Sequence, residues 1–558
     1  MPKRTHYAAP TDSGDPDLSL LALMACVASV SSFLFYYRQA DVLLYGDAIA
    51  HINIARRVFD SKTPGLLQLG TVWLPLPHLL MMPFLISTDM WRRGAGASIP
   101  SMAAYVFGVI GMFRLARSAF GGKSGTRGPV RIAAWTAALI YAANPNLLYL
   151  QATAMGESLY LALFIWAIVY FTESVQGDAA ALAKSAICLA AACLTRYDGW
   201  FLAAVMIAVV IVLFIRRRSL PATSAPPWPT RSHLIRFVLI SAAAPALWLA
   251  YNAIVYRNPL EFANGPYSAK AIEQKTQNPS LPGHPGSGNL LLSARYFTKA
   301  AEENVAQNRW LQRAWLMLAV AAVLAIAFNR KMGHTEPDRA VLWPLAFLLA
   351  PLPFYAFSVA YGGVPIFVPD WWPFSHYNVR YGLQLLPAFA VAPAVVVYMV
   401  LRASGWQLRL RVGCVLGVVV LVVASYASVW RAIPVSLQEA RTNMRTRNQL
   451  QLEVASWLEK LPPDSTILMY VGDHVGALER AAIPIKRTIN EGNHRVWKQP
   501  SDLDGLWERA LADPGKYADY VLAFEGDPVW RAVHDKHLPA LVEIHVTGQP
   551  LAILYQAR

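Results

Sequence analysis

One stretch of the chain, YGDAIAHINIARRVFDSKTPGLLQLGTVWLPLPHLL (residues 45–80), gathers groups able to do chemistry. Asp47 opens a helical pattern, and His51 follows four residues later, on the same side of that helix. An aspartate so placed can take a proton from an acceptor hydroxyl as a general base; it can equally cap the helix, a favoured use of Asp. His51 reads as a hydrogen-bond partner, with metal ligation the alternative. A second acid, Glu157, stands among apolar residues in NPNLLYLQATAMGESLYLALF (144–164). A carboxylate there either faces a polar cavity or sits in the first turn of the next helix. In LTRYDGWFL (194–202), Arg196 and Asp198 form a pair that joins two helices or touches substrate. DWWPFSHYNVRYGLQLLP (370–387) brings His376, Arg380 and Tyr381 together. Its aromatics suit a membrane-interface belt, whereas a guanidinium at the rim suits a lipid-linked phosphate. Lys270 lies with Lys275, Arg295 and Lys299 around the Pro/Gly/Asn-rich run NPSLPGHPGSGN. That run reads as a mobile loop over a site or as an ordinary solvated loop.

The elements that must position these groups are set by composition. Of 558 residues, 55% are hydrophobic and 15% charged, and mean hydropathy is +0.34. A disordered chain is excluded, and so in practice is a wholly soluble globule, because the apolar residues come in runs of about 20. Helices are expected near 18–38, 98–117, 132–150, 157–173, 181–197, 200–216, 234–255, 310–328, 340–360, 381–402 and 412–430, about eleven crossings. The segment 71–86 is apolar but interrupted by Pro75, Pro77 and Pro83, so it reads as interfacial or re-entrant. Residues 45–59 read as an amphipathic helix on the membrane surface, with Ile49, Ile52, Ala55, Val58 and Phe59 on its apolar face. The run at 18–37 is too long for a signal-peptide core and lacks a cleavage site, so the first span is expected to be retained.

The net charge of +15 is concentrated in Arg114–Arg131, Arg216–Arg218, Lys331–Arg339 and Arg402–Arg411. This is the pattern of cytoplasmic loops rather than of a nucleic-acid surface. It implies a multi-pass membrane protein with its N-terminus in the cytoplasm. A cytoplasmic tail (1–17) precedes a transmembrane domain (18–431) with outer loops at 39–97 and 256–308, and a periplasmic or extracellular domain (432–558) follows. In that last region helix and strand signals alternate (LEVASWLEKL, STILMYVG, HVGALERA, LDGLWERALADP, DYVLAFEG) before the closing hairpin LVEIHVTGQPLAILYQ. A small α/β domain is expected, with no phosphate-loop or GxGxxG pattern to bind a nucleotide. All four cysteines lie in apolar runs, which excludes a disulfide framework or Cys-ligated zinc.

The outer-face Asp47, the ARR-type helix after it, and WLPLPHLL at the place of an HPPL motif resemble the GT-C superfamily. The resemblance is to family-39-like bacterial membrane glycosyltransferases, relatives of protein O-mannosyltransferases and the lipid A aminoarabinose transferase. NPNLLYLQATAMGESLYL, LTRYDGW and RYGLQLLP look like later helix ends of that family, over roughly residues 20–400. The chain departs where many relatives have Asp-Glu, since Ala48 follows Asp47; this shifts the second acid's role towards Glu157. The resemblance implies inverting transfer of a hexosyl or pentosyl unit from a polyprenyl-phosphate donor to a hydroxyl of a protein, lipid or cell-envelope glycan at the outer face. Asp47 and Glu157 are the expected catalytic residues. His51, Arg56, His78, Arg196, Asp198, Lys270, His376, Arg380 and Tyr381 are expected to bind substrate. No cofactor is identified, and a divalent metal is left open. The rival classes are a secondary transporter, which would show paired broken helices, and a non-catalytic envelope sensor or scaffold, which would tolerate loss of Asp47.

Overall fold

The computed structural model describes residues 15–121, 128–219, 229–276, 283–329, 341–403, 407–472, 474–493 and 505–558. Residues 1–14 of the N-terminal tail, Lys331–Arg339, and parts of the Arg114–Arg131, Arg402–Arg411 and second outer loops therefore lie outside the described residues. Among those described, nine helical stretches are long and apolar enough to cross a bilayer. Gly128–Ala142 and Ala181–Cys193, with 15 and 13 residues, are shorter. They pack against Ala95–Gly121 and Glu157–Val175. Every stretch expected to cross thus carries a helix, and the protein is a multi-pass α-helical membrane protein. Its outward faces are apolar, with Leu23, Val27, Leu239, Ile254 and Val420 each about half or more exposed. Lipid satisfies such a surface; water does not.

Two expected helices are broken by their own residues. The stretch 132–150 splits after Ala142, because Asn144 accepts the Leu147 N–H at 2.9 Å and Pro145 starts a new helix. In 340–360, Trp343–Leu349 is a tight 3₁₀ turn and the α-helix begins only at Pro351. The proline-rich 71–86 segment forms the helix Leu76–Met81 and one 3₁₀ turn, Met82–Leu85. At about 1.5 Å per residue this is half a bilayer or less.

Charge sorts to the two ends of the bundle. At one end Arg117 pairs with Asp15, Arg131 with Asp17 at 2.6 Å, and Arg114 with Glu173 at 2.6 Å. Arg216–Arg218 close the Asp198–Arg218 helix, whose other terminus carries Asp198. The chemistry-bearing residues collect at the end opposite these basic clusters.

There the chain from the first long helix, α1 (Pro16–Arg38), turns into α2 (Gly46–Arg57). The expected surface-lying helix is corrected here. Ala48, Ile49 and His51 to Arg56 are all buried, because α2 is clamped between the bundle and the C-terminal region. Ile52 and Ala55 join the bundle core, whereas Ile49 enters the core of the C-terminal region. Tyr45 donates to the Ser436 carbonyl at 2.7 Å, and Asn53 donates to Glu479 at 2.8 Å and accepts from the Trp91 indole at 3.1 Å.

The helix Val435–Leu458 leads from the bundle into a five-stranded sheet of order β2-β1-β3-β5-β4, with β1 Ile467–Met469, β2 Thr488–Ile489, β3 Tyr520–Phe524, β4 Ala540–Ile544 and β5 Ala552–Gln556. The first three strands pair in parallel, and β4–β5 is the expected antiparallel hairpin. Alternation divides the side chains between two cores. Ile467, Met469, Leu522 and Phe524 meet the long helix and Ile49; Leu468, Val521 and Ala523 meet Trp507 and Val529.

Candidate active site

Asp47 lies in the first turn of α2, but the capping alternative does not hold: Tyr45 is the N-cap and no side-chain cap bond forms. The carboxylate instead accepts from Arg380 Nη2 at 2.5 Å while 42% of the side chain remains exposed. Arg380 is carried by the 3₁₀ turn Val379–Leu385, which starts from Asn378 in the left-handed region (φ 55°). Two residues on, Gly382 lets this turn press against a neighbouring helix, since a Cβ there would come within 2.3 Å of the Ala300 carbonyl carbon.

Arg380 holds three carboxylates together. Beside Asp47, its Nη1 pairs with Glu439 and its Nε lies 3.4 Å from Glu157. The rings of Tyr45 and Tyr381 flank the guanidinium at 4.9 and 5.0 Å. Only 6% of Arg380 is exposed, and it forms the centre of an ion cluster. Glu157 is fully buried at the start of its helix and shares one oxygen between Arg380 and Arg196, the latter at 3.1 Å. Glu157, expected to be catalytic, is thus held between the two arginines. Arg196 also donates to the Tyr355 hydroxyl at 2.8 Å and lies 3.4 Å from Asp198. Tyr355 in turn donates to Asp198 at 3.2 Å. The ring of Tyr381 sits 5.1 Å from the Arg196 guanidinium, between the two cations. Four carboxylates thus surround two guanidiniums in a largely dry site, where each interaction is stronger than in water.

His51, on the same side of α2 as Asp47, places its Nδ1 2.8 Å from Nε2 of His78, which is fully buried on the Leu76–Met81 helix. Burial pushes both imidazoles below their ordinary range, His78 further because His51 and Arg57 also oppose its charge. The neutral form of both is favoured by this burial.

Three expected substrate residues lie outside this cluster. Arg56 is buried and committed to Asp60 at 2.8 Å and to the Leu85 and Ile86 carbonyls. Lys270 is exposed on the helix Ala269–Thr276, whose backbone packs on Gly363. His376 faces the Val435–Leu458 helix, its carbonyl accepting from Asn443 at 3.1 Å. The sequence reading missed Glu439, Tyr355 and Tyr45. VSLQEAR (435–441) reads as an ordinary polar helix, and an aromatic on an apolar helix reads as packing.

Two hollows are lined in part by residues of α2 and of the Leu76–Met81 helix, respectively. A cavity of about 460 Å³ lies between α2, the loop after it and the C-terminal region, lined by Asn53, Arg57, Trp73, Tyr267, Tyr470 and Glu491 among others. An apolar groove of about 520 Å³ runs down the bundle past Leu80, Phe84, Phe107, Leu159, Trp166 and Cys188. Two of its lining residues, Leu80 and Leu159, stand two positions along the chain from His78 and Glu157. Among the described residues no three His, Cys, Asp or Glu side chains converge as metal ligands.

No family model matches the chain, and no curated protein does. Solved structures do. An archaeal oligosaccharyltransferase from Archaeoglobus fulgidus, tethered with an acceptor peptide, is 11% identical with a TM-score of 0.44, over 92% of this chain and 70% of its own. ArnT from Cupriavidus metallidurans in the apo state is 14% identical with a TM-score of 0.54, over 96% of this chain and 97% of its own. The same protein bound to undecaprenyl phosphate gives 14% and 0.54, over 97% and 98%. Over nearly its whole length, bundle and C-terminal region alike, this chain shares the fold of ArnT.

Proposed function

We propose that this protein is a membrane glycosyltransferase, moving a sugar from a polyprenyl-phosphate donor to a hydroxyl acceptor with inversion at the anomeric carbon. One observation carries this reading: a part-exposed carboxylate, Asp47, held 2.5 Å from the guanidinium of Arg380. Asp47 takes the proton of the acceptor hydroxyl as that oxygen attacks the anomeric carbon. The bond from that carbon to the phosphate oxygen breaks on the opposite face, and the polyprenyl phosphate leaves with the electron pair. Arg380 and Arg196 border the place where its charge develops, and fixed charges in a dry site stabilise it without reorganising. The prenyl tail takes the apolar groove, and the acceptor approaches from the cavity beside α2. Undecaprenyl phosphate bound to ArnT, which shares the fold, supports the donor class.

The test is transfer from a panel of radiolabelled polyprenyl-phosphate sugars by the purified protein, with the product's anomeric configuration read by NMR. Retention of configuration, or no release of polyprenyl phosphate with any donor, overturns the reading.

The basic clusters at the far end of the bundle support a cytoplasmic N-terminus and a site and C-terminal region on the outer face of a bacterial plasma membrane. A phosphatase fused after Arg558 is expected to be active, since that enzyme folds only outside the cytoplasm. A silent phosphatase with a fluorescent cytoplasmic reporter at the same position reverses the orientation.

A further inference from the structure

We infer that His51 donates a hydrogen bond from Nε2 to an oxygen of the donor's phosphate, and that His78 is the positioning residue that fixes this tautomer. This rests on the glycosyltransferase reading and adds a phosphate contact to it. One proton lies between His51 Nδ1 and His78 Nε2 at their 2.8 Å separation. If His51 supplied it, His78 would carry its own proton on Nδ1, which is buried with no hydrogen-bond partner. A buried N–H without an acceptor is the rarer and costlier orphan. His78 therefore donates from Nε2, leaving a bare lone pair on Nδ1. His51 Nδ1 accepts, so the proton of His51 sits on Nε2. That atom makes no hydrogen bond among the described residues, although the residue is only 8% exposed.

The chemistry around it selects the occupant. Asp47, one turn earlier on α2, must accept from the attacking hydroxyl; a donor aimed at that nucleophile would weaken it. The leaving phosphate gains charge, and the cluster has more carboxylates than guanidiniums to meet it. An uncharged N–H donor serves an anion there. Residues four apart on a helix are about 5–6 Å apart at Cβ, which lets Asp47 and His51 address opposite sides of one anomeric carbon.

The test is binding of undecaprenyl phosphate, without any sugar, to purified protein in lipid nanodiscs. His51→Gln keeps an N–H donor at the ε position and is expected to bind within about threefold of wild type. His51→Asn is similar in polarity but places its amide at the δ position, and is expected to lose about tenfold or more. His78→Gln retains the donor to His51 and binds like wild type; His78→Leu loses severalfold. Equal affinity for His51→Asn and wild type, or for His78→Leu and His78→Gln, overturns the proposal. ¹⁵N NMR of labelled histidines reads the tautomer without ligand: a protonated Nδ1 at His51 also overturns it. If wild type does not bind undecaprenyl phosphate while His51 shows the Nε2–H tautomer, the donor reading fails along with the phosphate contact, and only the tautomer assignment stands.

Discussion

Asp47→Asn is expected to lower the turnover of sugar transfer by about 10²–10⁴ while the protein remains folded and binds its donor. Asn cannot take a proton, but its carbonyl oxygen can still accept from Arg380. Nothing is lost at the start of α2, where no side-chain cap exists. Arg380 keeps Glu157 and Glu439 as partners, and the Asp47 side of the pair, 42% exposed, is open to water. The thermal midpoint should therefore change little. Donor affinity should hold or rise, because a negative charge beside the phosphate site has gone. Initial rates at saturating donor, set against undecaprenyl phosphate titration, separate these effects. Full turnover in the variant would remove Asp47 as the base.

Sequence reached the fold through two physical signals. Apolar runs of bilayer length place the crossings, because in lipid a helix must satisfy its own backbone. Alternating strands and helices after residue 460 mark the C-terminal sheet. What sequence did not show was contact between the two. Ile49 reads as one apolar residue on an interfacial helix, and only the assembled chain reveals that it belongs to the sheet's core. The same limit applies to the cluster. Asp47, Glu157, Arg196, Asp198 and Arg380 each stand out because charge at a membrane boundary is costly. Glu439 does not, since it sits in a polar helix whose burial comes from chain segments some 60 and 390 residues away. Arg56 stands out as well, but its charge is spent locally, on Asp60 just past the end of its helix.

Arg380→Ala is expected to impair the protein in two separable ways, in stability and in donor binding. The guanidinium is the link among Asp47, Glu157 and Glu439. Without it, Asp47 can turn to water, and Glu157 keeps Arg196 at 3.1 Å. Glu439, 1% exposed, loses its ion-pair partner and retains the Arg380 backbone N–H at 3.3 Å, which an alanine still provides. Leaving one member of a buried pair uncompensated costs about 3–5 kcal/mol, a large part of a typical folding free energy. A marked fall in thermal midpoint in detergent should follow. Adding Glu439→Gln removes the stranded charge, so the double variant should regain much of that midpoint. It should not regain donor binding, where loss of an arginine facing phosphate is expected to cost about 10- to 100-fold in undecaprenyl phosphate affinity. A double variant no more stable than Arg380→Ala would show that Glu439 is not the stranded group. An Arg380→Ala protein with wild-type donor affinity would show that the cluster's arginine holds the fold together and leaves the phosphate to Arg196 and His51.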